Sequence, residues 1–98
     1  METRIQSIHF DASEQLVAFI EKKVSKLDQY FDGILSAEIT MKVVKPEAVN
    51  NKEVSIKLNV PHNELLFSEK TCDSFEEAVD ICTEALSKQL RKLKEKTR

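Results

Sequence analysis

At 98 residues, 41% of them apolar and 33% charged, the chain has the composition of a single domain, residues 1–98, built around one core. Its 15 Lys and Arg against 17 Asp and Glu leave a formal net charge of -2, which excludes a uniformly basic nucleic-acid coat and makes any polyanion site a matter of local segregation. One Gly and two Pro exclude a Gly-rich phosphate loop and a low-complexity chain.

Residues 4–10, RIQSIHF, predict a short strand that runs into a helix cap. Asp11 followed by Glu14 has the spacing of a capping box, in which the acid at the cap accepts a first-turn N–H and the Glu reaches back. Leu16, Ile20, Val24, Leu27 and Phe31 then recur at three and four residues, one apolar helix face that lasts until Asp32-Gly33, where the only Gly supplies a left-handed stop.

From Ala37 the period changes to two. Ala37, Ile39, Met41 and Val43 alternate with Glu38, Thr40 and Lys42, the pattern of a half-buried strand. Pro46 to Lys52 is polar and reads as a hairpin connection to a second alternation, Val54, Ile56, Leu58 and Val60 against Ser55, Lys57 and Asn59. Pro61-His62-Asn63 predicts a turn and Glu64 to Thr71 a third, less cleanly patterned strand. Ser74 and Glu77 set another capping box, and Phe75, Ala78, Val79, Cys82, Leu86, Gln89, Leu90 and Leu93 line one face of a final helix. Because only one face of each alternating strand is apolar, both amphipathic helices are expected to cover that face: a two-layer α+β sandwich of order β-α-β-β-β-α. Lys42, Lys57, Thr40 and Asn59 are left facing water.

Catalytic and metal-binding chemistry has no carrier here. His9 and His62 lack the spacing of a metal site and read as a strand and a turn histidine. No Ser or Cys lies in a nucleophile elbow, and nothing in the sequence raises the pKa of the scattered carboxylates, so a non-enzyme without metal, cofactor or small-molecule substrate is expected. Cys72 and Cys82 read as two reduced core thiols. With no apolar window of about 18 residues and no signal-peptide pattern at the N-terminus, the expectation is a cytosolic protein with no membrane partner.

Charge carries the functional information. Lys22, Lys23 and Lys26 fall on one flank of the first helix and Glu14, Glu21 and Asp28 on the other. The last helix begins with Glu76, Glu77, Asp80 and Glu84 and continues with Lys88, Arg91, Lys92, Lys94, Lys96 and Arg98, so that residues 87–98 carry +5. The helix dipole favours such an order, but its effect fades beyond the terminal turn, and about three turns of basic residues exceed it. A polyanion partner therefore stands beside the dipole-favoured solvated helix as a reading of this order, and it would be recognised through phosphate and shape, since the few aromatics sit mostly at core positions and do not form a base-stacking surface. The basic flank of helix one, Lys42 and Lys45 and the tail helix are expected to share one surface.

The segment VSKLDQYFDGI (24–34) resembles the first-helix signature of the short ribosome hibernation promoting factors, relatives of the ribosome-associated inhibitor protein Y and of the sigma-54 modulation proteins. MKVVK (41–45), VSIKLNVP (54–61) and SFEEAVDICTEALSKQLRKLKEK (74–96) follow in the same family order. The resemblance implies a fold similar to the double-stranded-RNA-binding domain. It also implies a translation regulator that occupies the mRNA/tRNA channel of the small ribosomal subunit, touches its ribosomal RNA and idles ribosomes in stationary phase or stress. The family's RNA-facing positions carry over onto Lys23, Lys26, Lys42, Lys45, Lys88, Lys92, Lys94 and Lys96, with Lys22 and Arg91 added from the charge pattern. Two departures stand out: Pro61-His62-Asn63-Glu64 replaces a Gly-containing turn, and LLFSEKTCDS (65–74) brings Leu65, Leu66 and Phe67 where polar residues are expected. Long members carry an additional domain that joins two ribosomes. A chain of this length is expected to be a monomer off the ribosome and to idle ribosomes without bridging them. The alternative is a small interaction module, of the sigma-54 modulation type, whose charged helix binds an acidic protein.

Overall fold

The computed structural model describes residues 1–45, 47, 49–61 and 64–96. Pro46, the His62-Asn63 part of the expected turn, and Arg98 at the end of the basic run lie outside the described residues. The elements are β1 (Glu2–Ile8), α1 (Glu14–Ser25) with a 3-10 continuation (Lys26–Gln29), β2 (Ser36–Val43), β3 (Lys52–Val60), β4 (Glu64–Cys72) and α2 (Phe75–Lys96). The strands form one sheet in the order β1-β2-β3-β4, with β1 parallel to β2 and the other pairs antiparallel.

The alternation places one apolar face on the sheet. Ala37 pairs with Leu58, Ile39 with Ile56 and Met41 with Val54, all buried. They join one cluster with Ile20, Val24 and Leu27 from the first helical segment and Ala78, Val79, Cys82, Leu86 and Leu90 from α2, so both helices cover the same face, as the patterning requires. Phe10 stacks on Phe75 with ring centroids 4.7 Å apart, tying the β1–α1 connection to the start of α2. Cys72 and Cys82 are buried free thiols, and desolvation pushes both above the ordinary thiol range.

Local geometry departs from the sequence expectation at three places. β1 begins and ends two residues earlier than expected, because His9 adopts a left-handed φ of 69° and turns the chain out of the sheet. That turn shifts the cap from Asp11 to Ser13, whose extended backbone lets its Oγ accept the Leu16 N–H at 3.1 Å; Glu14 becomes the first residue of the helix. The helix also stops being α-helical at Ser25 and tightens into a 3-10 turn through Gln29, while Gly33 (φ 85°) supplies the left-handed residue only after that turn. Ser74 behaves as expected, its Oγ accepting the Glu77 N–H at 3.2 Å.

The other sheet face is open. There Lys57 Nζ lies 3.2 Å from Glu38 Oε2. On the same face a hydrogen bond to Glu69, helped by desolvation, raises the Glu53 carboxyl above the usual carboxylate range, against the pull of Lys42. The unusual Leu65 and Phe67 project from β4, 60% and 53% exposed, and the Gln89 side-chain amide of α2 donates to the Phe67 carbonyl at 3.2 Å.

Leu27→Ala or Ile56→Ala removes a buried aliphatic side chain and is expected to cost about 2–5 kcal/mol in a denaturant titration. Ser13→Ala should cost about 1 kcal/mol through the lost cap, whereas Asp11→Ala should stay within about 0.5 kcal/mol of wild type. The raised Glu53 pKa means that the native state holds this proton more tightly than the unfolded chain, so stability falls as pH rises through the native value. Glu53→Gln is therefore expected to melt above wild type at neutral pH, with the gap closing below about pH 4, where the carboxyl is protonated in both states.

Candidate nucleic-acid interface

Where α1 and its 3-10 continuation run beside α2, their solvent edges leave a groove lined by Lys23, Lys26 and Tyr30 on one side and Asp80, Glu84, Ser87, Lys88 and Arg91 on the other. On α2, Asp80, Glu84 and Lys88 follow one i, i+4 row and Arg91 comes three residues later, so the change from acid to base along the helix runs along the groove.

Three of the groove's four bases have a partner within the protein. Lys23 Nζ lies 2.8 Å from Asp80 Oδ1 across the helix interface, with its ammonium 5.6 Å from the Phe19 ring centroid. Lys88 Nζ is 4.0 Å from Glu84 Oε1 in an i, i+4 pair. The Arg91 guanidinium lies 4.9 Å from the centroid of the half-buried Tyr30 ring, a cation–π contact made by a residue that remains exposed to solvent. Among the described residues, Lys26 and Arg91 make no ion pair.

Of the ten basic candidates, the structure therefore gathers Lys23, Lys26, Lys88 and Arg91 into one groove. Lys22 is exposed on α1, and Lys92, Lys94 and Lys96 are exposed along the end of α2 beyond the groove lining. Lys42 and Lys45 do not share this surface. The period of β2 that buries Met41 turns Lys42 to the open sheet face, opposite Glu53, and both lysines line a separate depression with His9 at the carboxyl ends of β1 and β2. Nine of the ten form a groove, a tail and a second cluster instead of one surface, and Lys22 stands apart on α1.

Three participants escape a sequence reading. Tyr30, counted there among the mostly core aromatics, lines the groove beneath Arg91. Asp80, which looks like a dipole-favoured acid, is the partner of Lys23. His9 sits beyond β1 with the second cluster and is not a strand residue; its neighbour Phe10, packed on the core, was the available signal that the chain had already turned. No group of three or more potential metal ligands occurs among the described residues.

This fold has known counterparts. The structure superimposes with a TM-score of 0.82 on the crystal structure of the Thermus thermophilus protein Y N-terminal domain, at 20% identity and covering 95% of this chain and 99% of that one, a likeness of fold. In sequence, the chain is 29% identical over 97 residues to the ribosome hibernation promotion factor of Bacillus subtilis, covering 98% of this chain but only 50% of that protein. It is 27% identical to the ribosome hibernation promoting factor of Pseudomonas putida, covering 98% of this chain and 89% of the relative. The family model described as Sigma 54 modulation protein / S30EA ribosomal protein matches residues 3–98, nearly every position from β1 to the end of the basic helix, and the chain belongs to that family.

Proposed function

We propose that this domain is a ribosome-binding regulator of translation that sets the α1–α2 groove and the basic end of α2 against ribosomal RNA of the small subunit, occupies the mRNA/tRNA channel and keeps ribosomes inactive in stationary phase or stress. The observation that carries this reading is the convergence of Lys26 from the first helical segment with Lys88 and Arg91 from α2 on one groove, continued by Lys92. The relatives named above are ribosome hibernation factors by name, and the family covers nearly the whole chain. The chemistry on offer is phosphate and shape recognition, the mode suited to folded RNA, and the protein acts by occupancy instead of catalysis. A ribosomal partner places it in the cytoplasm, and no helix among the described residues is long and apolar enough to cross a membrane.

If Lys26, Lys88, Arg91 and Lys92 each neutralise one phosphate, log K for small-subunit binding falls with log salt at a slope of about -3. That amounts to roughly a 100-fold loss between 50 and 200 mM salt. Lys88→Glu, Arg91→Glu and Lys92→Glu together should abolish co-sedimentation with purified small subunits while leaving a cooperative unfolding transition. A triple variant that still pellets with the subunits as wild type does would place the interface elsewhere. In lysate, the wild-type protein should travel with ribosomes; travel with a non-ribosomal acidic protein would favour the interaction-module reading.

A further inference from the structure

An RNA groove gains nothing from carboxylates, yet this one carries Asp80 and Glu84 beside its bases. Asp80 is 2.8 Å from Lys23, and their side chains are 52% and 32% exposed, so the pair is a surface ion pair of small value to stability. Its effect on a polyanion is larger. The charge that Lys23 offers to phosphate is already offset by Asp80, and Asp80 itself repels phosphate from that end of the groove.

From this pairing we infer that Asp80 is a specificity-determining residue: it commits Lys23 within the protein and closes the acidic end of the groove to phosphate, so that RNA is held at the end lined by Lys26, Lys88 and Arg91. The inference rests on the RNA-binding reading above and refines it. Lys23 lies in the groove but contributes no phosphate contact, and a mixed-sequence RNA meets half a site. Glu84, 4.0 Å from Lys88, marks where the acidic end gives way to the basic one.

The test is binding of the full chain to a mixed-sequence RNA duplex spanning about 16 base pairs, across a salt series. Asp80→Asn is expected to tighten binding about fivefold and to steepen the salt slope by about one phosphate, as Lys23 becomes available. Glu76→Gln makes the same change in net charge at an exposed α2 residue outside the groove lining, and should change affinity less than about twofold. Lys23→Met alone, which leaves the Asp80 charge without its partner, should weaken binding less than Lys26→Met does, and in the Asp80→Asn background it should remove the gain. No tightening with Asp80→Asn, an equal gain with Glu76→Gln, or a loss with Lys23→Met as large as with Lys26→Met would each overturn the role given to Asp80. If wild type shows no salt-dependent binding to either the duplex or small subunits, the RNA reading itself fails, an outcome distinct from the others.

Discussion

The rest of this molecule depends on the need to cover one apolar sheet face. Four strands at about 4.8 Å spacing make a surface about 14 Å across between the outer strand axes, and a helix of about 10 Å diameter does not cover it. Two helices side by side do. Their burial of Ile20, Val24 and Leu27 on one side and Val79, Cys82, Leu86 and Leu90 on the other fixes the two axes over the sheet. A groove between their outer edges is the geometric by-product of that packing, as in any pair of adjacent cylinders. Side chains that the core does not need decide what the groove is for, and here they are Lys26, Lys88 and Arg91 with Tyr30 beneath.

The order of charge on α2 takes a different meaning once α1 is beside it. An isolated helix gains from acids in its first turn and bases in its last through its dipole, which accounts for Glu76 and Glu77 and for Lys94 and Lys96. Asp80 and Glu84 lie deeper than that effect reaches. They fall where α2 passes Lys23, and the bases that follow fall where α2 passes the 3-10 turn and then runs on beyond it. Neighbouring helices therefore set the position of the change in sign, which makes the groove electrically polar from end to end.

Much of the fold was legible because its cause is local. The period-two runs at 37–43 and 54–60 state which face is buried whatever the rest of the chain does, and the Ser74 cap needs only the residues around it. What could not be read depends on where the backbone turns or on what lies far away in sequence. Asp11 and Ser13 are both good caps, and the choice between them was made by the left-handed turn at His9. Tyr30 packs against the core, as an aromatic near the end of the apolar face suggests, but its second role as a wall of the groove depends on Arg91, which lies on another helix. Lys23 and Asp80 belong to different helices, and no pattern within either one announces that they meet. The separation of Lys42 from the helical bases was in the alternation all along, since a residue next to the buried Met41 must face the other way.

The hydrogen bond from Gln89 to Phe67 bears on how this protein stays apart from other strands. β4 is an outer strand of the sheet, and with Leu65 and Phe67 exposed it combines open main-chain groups with apolar side chains, the combination that invites another strand to add itself. Gln89 occupies one of the main-chain acceptors of that strand from above, and an incoming strand must displace the amide before it pairs there. A helix whose far end is basic thus also guards the margin of the sheet with a single neutral side chain, at the apolar stretch of β4 that precedes the strand's charged Glu69 and Lys70.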